Sequence, residues 1–298
     1  MNEQDLTRLH WGIDIGGTTI ILGYRRDGQF FRTAVLNTER EQDPRRILRK
    51  VSSAILDTDP SPRTAGAGIA GLVKVNEGVL VSSPNLPGWR DFPVAGVLSE
   101  ALNCPVAVDN DSNAFAIGAV GTGSIPGRGL WLMLTLGTGI GGTIISDGNI
   151  LYGTGFAGEV GHMSVEAFGE SCPCGSKGCW EQYAAAAALV RYYSRSSGGR
   201  PREPREIFEM ASAGDGNALG AFEEFGTWLG VGMVNLYNCF SPHGVFLAGG
   251  LTGASAHFLP RAESVFRNRC GHLWTVKVLP SSYDAGAEGA AIMGEERS

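Results

Sequence analysis

Near its N-terminus the chain reads Ile13-Asp14-Ile15-Gly16-Gly17-Thr18-Thr19-Ile20-Ile21-Leu22, and an Asp27-Gly28 turn follows. Because turn residues separate the apolar runs, this order predicts a strand, a glycine–threonine loop, a second strand, a hairpin turn and a third strand. The same order returns in Leu134-Thr135-Leu136-Gly137-Thr138-Gly139-Ile140-Gly141-Gly142-Thr143-Ile144-Ile145, before Asp147-Gly148. Two copies at this separation indicate two similar halves facing each other, since the period of a solenoid would be far shorter.

Helices and strands fill the rest of both halves, so we expect an α/β fold of two similar domains with a cleft between them. The expected boundaries are 1–120 for a smaller N-terminal domain, completed by a C-terminal helix at 285–298, and 121–284 for a larger C-terminal domain. Apolar periodicity predicts helices at Pro44–Asp57, Glu181–Tyr193, Asp215–Phe240 and Ala285–Glu295, and buried strands at Ala65–Ile69, Val106–Val108 and Val245–Ala248.

Composition and charge argue against several classes of protein. The 298 residues carry a net charge of −6, which disfavours a general affinity for nucleic acid or for an anionic membrane. The N-terminus lacks the apolar stretch of a secretion signal, and the most apolar run, Leu130–Leu136, is far shorter than the roughly 20 residues that span a bilayer. We therefore expect a soluble, cytoplasmic protein with no nucleic-acid or membrane partner.

The two glycine–threonine loops are candidates for binding the phosphates of a nucleotide. Such loops expose backbone N–H groups, and threonine hydroxyls add further donors for anionic oxygens. A tight β-turn would explain either loop alone, but two matching loops favour a shared phosphate site. The candidate residues are Gly16, Gly17, Thr18, Thr19, Gly137, Thr138 and Gly139.

Asp14 and Gly249-Gly250 extend the candidate nucleotide site. Asp14 lies on an otherwise apolar strand, where a carboxylate is costly to bury without a partner, and a hydrated Mg²⁺ shared with the phosphates would be one. A capping or turn-stabilising acid is the alternative. Gly249-Gly250 follows a buried strand and could let a base or ribose approach the backbone, unless it serves only to pack a helix.

A cluster of polar residues follows the strand Val106–Val108, in the order Asp109-Asn110-Asp111-Ser112-Asn113. Helix capping would explain one of them, most naturally Asp111 or Ser112. Phosphoryl transfer to an alcohol needs a carboxylate that accepts the hydroxyl proton. We assign that role to Asp111, a sugar-hydroxyl contact to Asn110 and a stabilising role to Asp109.

Four more residues are candidates for reading sugar hydroxyls, since polyol recognition needs paired donors and acceptors. They are Asn85, Glu159, His162 and Glu181. Asn85 as a turn residue and Glu181 as a first-turn helix acid are the alternatives.

The spacing Cys172-x-Cys174-x4-Cys179 predicts a metal site. Three thiolates need one more ligand for a tetrahedral zinc, and His162 is the nearest histidine. A redox pair or simply buried thiols are the alternatives. If zinc takes one ring nitrogen of His162, the other carries a hydrogen and can donate to a sugar hydroxyl.

Taken together, these motifs resemble the ROK family of bacterial sugar kinases and sugar-responsive repressors, over nearly the whole chain. Within the family, the chain most resembles the bacterial glucokinases, although the alanine run 184–188 departs from their pattern. The resemblance is carried by the segments Ile13–Thr18, Pro84–Trp89, Asn110-Asp111, Leu136–Gly142, Gly158–His162, Cys172–Glu181 and Asp284–Gly286.

The resemblance implies an actin-like, ribonuclease-H-like fold that closes over ATP, its Mg²⁺ and a hexose. It implies Asp111 as the base at the sugar 6-hydroxyl, phosphates on the Gly16–Thr19 and Gly137–Gly139 loops, and the nucleoside near Gly249-Gly250. The implied sugar contacts are Asn85, Asn110, Glu159, His162 and Glu181, and the implied ligands of a structural zinc are His162, Cys172, Cys174 and Cys179. A homodimer or homotetramer is expected.

Glucose is the expected substrate, but the hydroxyl-reading residues suit other hexoses equally. The alternatives are N-acetylglucosamine, N-acetylmannosamine, mannose and fructose. A sugar-responsive repressor is a distant alternative. Such proteins place a DNA-binding domain before the first glycine loop, and here that loop already begins at Asp14. A catalytically idle scaffold is disfavoured by the presence of Asp14, Asp111 and the full set of sugar contacts.

Overall fold

The computed structural model describes residues 9–38, 43–83, 85–199, 202–272, 274–280 and 284–296. These residues form two compact units. The first takes the described residues up to Gly127, the segment Gly148–Phe156 and the described residues from 284 onward. The second takes Arg128–Asp147 and the described residues between Ala157 and 280. The domain limits expected from the sequence stay a prediction.

Strands and helices alternate along both units, which confirms the expected α/β class. In chain order the elements are β1 (His10–Ile15), β2 (Thr19–Arg26), β3 (Gln29–Asn37), α1 (Pro44–Leu56), β4 (Thr64–Ile69), β5 (Leu72–Lys74), β6 (Val79–Ser82), α2 (Val94–Leu102), β7 (Val106–Asn110), α3 (Asp111–Gly121), β8 (Leu130–Leu136), β9 (Ile140–Ser146), β10 (Asn149–Ile150), α4 (Glu181–Ala184), α5 (Ala186–Ser197), α6 (Pro204–Ser212), α7 (Gly216–Phe240), β11 (Gly244–Ala248), α8 (Ser255–Cys270), β12 (Thr275–Val278) and α9 (Ala285–Glu296). No helix in the described ranges is long and apolar enough to cross a membrane.

The sheet of the first unit has the strand order β3-β2-β1-β4-β7. β1 is antiparallel to β2 and parallel to β4, which is in turn parallel to β7. This is the order of a ribonuclease-H-like sheet. This order brings the carboxyl ends of the parallel strands β1, β4 and β7 to one edge of the sheet. Asp14, near the end of β1, and Asn110, at the end of β7, therefore lie at the same edge.

The second unit repeats this pattern, with strands in the order β9-β8-β11-β12. β8 is antiparallel to β9 and parallel to β11, and β11 is parallel to β12. The Asp-Gly turns of the two copies also match. The φ angles are +53° and +76° at Asp27 and Gly28, and +49° and +80° at Asp147 and Gly148. Positive φ at both central residues defines the type I′ turn that suits a tight hairpin. The repeat predicted from the sequence is confirmed.

Helix α9 packs against the first sheet at close range because small residues line both surfaces. A Cβ atom on Gly12 would lie 1.8 Å from the Ala287 carbonyl oxygen, and one on Gly66 would lie equally close to that of Ala290. Only glycine allows this approach, so β1 and β4 are shaped to receive α9. The N-terminus of α9 thereby comes next to the end of β1, where Asp14 lies.

The single helix predicted over Glu181–Tyr193 is wrong, since the chain breaks at Ala185 into α4 and α5. Ala185 is extended, with φ −126° and ψ 179°. The next backbone N–H, that of Ala186, donates to the Gly137 carbonyl at 2.9 Å. This long-range bond takes the place of a helical one, so tertiary structure overrides the helix propensity of the alanine run.

Candidate active site

The acid cluster lies where β7 ends and α3 begins, and the residue that caps α3 is Asn110. Its Oδ1 accepts from the backbone N–H groups of Ser112 at 2.8 Å and Asn113 at 3.4 Å, and its Nδ2 donates to the Gly71 carbonyl at 2.9 Å. The expectation that Asp111 or Ser112 caps the helix is therefore wrong. Asn110 still has extended backbone angles, φ −62° and ψ 147°, which direct its side chain to the first turn.

Asp111 is the first residue of α3, and Asp14 is its acidic neighbour. Burial raises the pKa of Asp111, while hydrogen bonds to its carboxylate, including one from the Ser112 N–H at 2.9 Å, oppose that rise. Burial and the nearby charge of Asp111 raise the pKa of Asp14 to about 7. The first unit thus holds two carboxyl groups that are poised to bind a cation or accept a proton.

The backbone of Gly286 covers the Asp14 carboxylate at the start of α9. A Cβ atom at Gly286 would lie 2.7 Å from Asp14 Oδ2, so only glycine leaves the carboxylate in place. Gly286 belongs to a segment that carries the family resemblance, but its proximity to Asp14 was not predicted.

Asp14→Asn is expected to stabilise the ligand-free protein at high pH. The folded-state pKa of Asp14 is about 7 and its ordinary value is 3.8, so between these values the folded protein holds a proton that the unfolded chain has lost. The Asp14 contribution to the free energy of unfolding therefore falls as pH rises through this window. Thermal unfolding of both proteins across the pH range measures the effect. The unfolding temperature of the variant, relative to that of the wild type, should rise with pH up to about pH 7 and stay constant above it. A difference that does not depend on pH contradicts the prediction.

The first glycine–threonine loop is a tight turn whose threonine side chains are exposed. The Gly16 N–H donates to the Thr19 carbonyl at 2.9 Å, and the hydroxyls of Thr18 and Thr19 lie 3.2 Å apart. A Cβ atom on Gly17 would lie 2.9 Å from the Cβ of Asn85. The fold therefore brings the exposed Asn85 against the candidate phosphate loop. Pro84 lies outside the described residues.

The second glycine–threonine loop is also a tight turn, in which the Gly137 N–H donates to the Gly139 carbonyl at 3.0 Å. Thr138 is exposed at its tip. Gly139 lies over the Glu181 carboxylate, since a Cβ atom there would be 2.7 Å from Oε2. Within the second unit, the candidate phosphate loop and a candidate sugar contact are therefore neighbours.

Gly249 and Gly250 differ in what surrounds them. Gly249 has φ +94°, and a Cβ atom there would lie 2.5 Å from the Leu136 carbonyl oxygen. This glycine is needed for the packing of β11 on β8. Gly250 is exposed and has open space where a side chain would be, at the start of a short 3-10 turn. Only Gly250 leaves room for a ligand at the backbone.

The cysteine loop brings four ligand atoms together. One atom each of His162, Cys172, Cys174 and Cys179 lies within 4.8 Å of the others. Cys174 Sγ is 3.6 Å from Cys179 Sγ, and Cys172 Sγ is 3.7 Å from His162 Nδ1. A tetrahedral zinc with Zn–S bonds of about 2.3 Å would separate its sulfur ligands by about 3.8 Å, so the residues fit that ion.

The other nitrogen of His162 faces a different group. Nε2 lies 3.9 Å from Glu159 Oε2, while Nδ1 lies 3.6 Å from Glu181 Oε1. The Cys172 thiol also donates to Glu181 Oε1, at 3.2 Å. The cysteine loop therefore contacts His162 and Glu181, and Glu159, the third candidate sugar contact of the second unit, lies beside His162.

The structure places the candidate residues in two sets. The first unit joins Asp14, Gly16–Thr19, Asn85, Asn110 and Asp111, and the second joins Gly137–Gly139, Glu159, His162, Glu181 and the cysteines, with Gly249-Gly250 after β11. The sequence analysis missed Gly71, whose carbonyl accepts from Asn110, Gly286, whose backbone covers Asp14, and Tyr152, whose hydroxyl donates to Asp109. A backbone carbonyl and a distant tyrosine carry no local motif, so no signal in the sequence could have indicated Gly71 or Tyr152.

Comparison with known families decides the relationship of this chain to other proteins. The family model described as "ROK family" matches residues 10–297. The chain belongs to the ROK family. The family's actin-like fold agrees with the repeated sheet order of the two units, so the fold expected from the resemblance is confirmed.

Individual ROK proteins are similar to this chain over nearly its whole length. Glucokinase of Thermotoga maritima is 30% identical, and the match covers 96% of this chain and 97% of that protein. The crystal structure of a ROK hexokinase from Thermus thermophilus is 30% identical with a TM-score of 0.83, covering 97% and 98% of the two chains. A ROK glucokinase from Streptomyces griseus, crystallised with glucose and AMPPNP, is 31% identical with a TM-score of 0.82, covering 97% and 99%.

Proposed function

We propose that this protein transfers the γ-phosphoryl group of ATP to the 6-hydroxyl of a hexose, and that glucose is its preferred substrate. One observation carries the proposal. Asp111 is a partly buried carboxyl group held at the first turn of α3, close to a second acid, Asp14, which precedes a loop suited to phosphate. The glucokinases among the relatives and the glucose and AMPPNP in the Streptomyces griseus structure support the choice of reaction and sugar.

In this proposal Asp111 accepts the proton of the sugar 6-hydroxyl as the hydroxyl oxygen attacks the γ-phosphorus. The bond from that phosphorus to the β–γ bridging oxygen breaks, and ADP leaves with the electron pair. The raised pKa of Asp111 makes the carboxylate a stronger base than an exposed aspartate. Asn85 and Asn110 orient the sugar, and the Gly16–Thr19 and Gly137–Gly139 loops donate N–H groups to the phosphates. Asp14 would hold the hydrated Mg²⁺ that accompanies ATP.

The four residues His162, Cys172, Cys174 and Cys179 would hold a structural zinc. When bound, that ion fixes the cysteine loop and the tautomer of His162 rather than taking part in phosphoryl transfer. With Nδ1 facing the sulfur atoms, Nε2 of His162 carries the hydrogen and donates to a sugar hydroxyl. Glu159 and Glu181 accept from neighbouring hydroxyls.

We further propose a cytoplasmic enzyme that forms a homodimer or homotetramer and has no nucleic-acid or membrane partner. The net charge of −6 supports the last part of this proposal.

A coupled ADP-release assay over a panel of sugars tests the substrate. We expect kcat/KM for glucose to exceed that for N-acetylglucosamine, N-acetylmannosamine, mannose and fructose by about tenfold or more, because buried polar groups left unpaired penalise a wrong hydroxyl pattern. If one of the other sugars had a higher kcat/KM than glucose, the protein would still be a sugar kinase, but glucose would not be its preferred substrate. No ADP release with any of them would reject the proposed function.

A further inference from the structure

Tyr152 contacts the acid cluster although it lies far from it in the sequence. Its hydroxyl donates to Asp109 Oδ2 at 2.6 Å. The segment Gly148–Phe156, which carries Tyr152, belongs to the first unit, and β10 within it packs on α3. A backbone bond from the Gly155 N–H to the Tyr152 carbonyl, at 2.8 Å, holds the turn in which Tyr152 lies.

Asp109 is fully buried and bonded on both carboxylate oxygens. Its Oδ1 accepts from the Asn110 N–H at 2.6 Å and from Asn113 Nδ2 at 2.9 Å, opposite the bond from Tyr152 to Oδ2. Asn110 and Asn113 lie on either side of Asp111. The Asp109 carboxylate therefore helps to hold the turn that carries Asp111, together with the bond from Asn110 to the Gly71 carbonyl.

Loss of the tyrosine hydroxyl would remove a short, charge-assisted bond from a buried carboxylate. The two donors on Oδ1 would remain, and the carboxylate could rotate about them. Such a rotation would weaken the hold on Asn110 and Asn113, and Asp111, which lies between them, could shift with them. Phosphoryl transfer is sensitive to shifts of this kind, since a displacement of about 1 Å can lower a rate by about 100-fold.

We propose that Tyr152 is a positioning residue for phosphoryl transfer, which acts through Asp109 to fix the turn that bears Asn110 and Asp111. The inference rests on the proposed role of Asp111 as the base. Tyr152 itself contacts neither the sugar nor the nucleotide in this proposal.

Tyr152→Phe tests the proposal because it removes the hydroxyl and keeps the ring. We expect kcat to fall by about 10- to 100-fold, with KM for ATP within about twofold of the wild type. Because Asn110 also orients the sugar in the proposed function, any rise in KM for glucose should be smaller than the fall in kcat. Ser99→Ala is the matched control, since Ser99 Oγ donates to the Cys104 carbonyl at 2.7 Å in the same unit. The control should keep the wild-type kcat. All rates are measured at a temperature at which circular dichroism shows every variant folded.

The same change in an Asp111→Asn background separates positioning from a general loss of structure. Without the base there is nothing left to position, so Tyr152→Phe should not lower the residual kcat further. A wild-type kcat in Tyr152→Phe, or a full additional loss in the Asp111→Asn background, would overturn the inference. The proposed function is tested apart from it, by sugar-dependent ADP release in the wild type and by its loss in Asp111→Asn alone.

Discussion

Asp111→Asn is expected to lower kcat by about 100- to 10,000-fold, the usual contribution of a general base, while KM for glucose changes little. The amide keeps the shape of the side chain and its place at the first turn of α3. It cannot take up the proton that the sugar hydroxyl loses. Steady-state kinetics with glucose and ATP measure the change, and calorimetry with glucose shows that the variant still binds sugar.

Glu100→Gln is the matched control for this variant. It makes the same carboxylate-to-amide change at an exposed position of α2 in the same unit, and we expect a wild-type kcat. A folded Asp111→Asn protein that turned over as fast as the control would show that another group accepts the proton.

Cys174→Ala is expected to remove the metal and to weaken stability and sugar binding together. A structural zinc couples its binding free energy to folding, so loss of one of four ligands lowers both the metal content and the unfolding temperature. His162 and Glu181 lie against the same loop, so KM for glucose should rise by about tenfold or more. Metal analysis of the purified protein, thermal unfolding and kinetics give the three measurements, with about one zinc per chain in the wild type.

Cys239→Ala is the control, because Cys239 is an exposed free cysteine outside the cluster. We expect it to keep the metal, the unfolding temperature and the KM of the wild type. A wild-type protein that is folded and fully active without any metal would remove the zinc from the account.

The repeated architecture could be predicted because its signals are local. An Asp-Gly pair in a type I′ turn, with apolar runs on both sides, specifies a hairpin without help from the rest of the chain. Helix α7 is a second example, since the predicted Asp215–Phe240 matches the observed Gly216–Phe240 with Asp215 as its cap. Asp215 Oδ1 accepts from the Ala218 N–H at 2.8 Å, which is a short-range interaction as well.

The errors arose where partners distant in the sequence decide the local structure. Asn110, Asp111 and Ser112 can all cap a helix, and the choice falls on Asn110 because it still pairs with Ile69 at the end of β7. The break at Ala185 depends on the carbonyl of Gly137. Tyr152 meets Asp109 only in the folded chain. The roles assigned to the site residues stay predictions until the variants are measured.

The position of α9 has a consequence for how the chain folds during synthesis. The strands β1 and β4, which carry Gly12 and Gly66, are synthesised early. Helix α9, which packs on these glycines, is synthesised only after the described residues of the second unit. Until α9 has been synthesised, the first sheet has no helix packed on Gly12 and Gly66, and no Gly286 backbone covers the Asp14 carboxylate. The described residues of the second unit, in contrast, have all been made before α9. We therefore expect the first sheet to remain without its α9 layer for most of the time that translation takes.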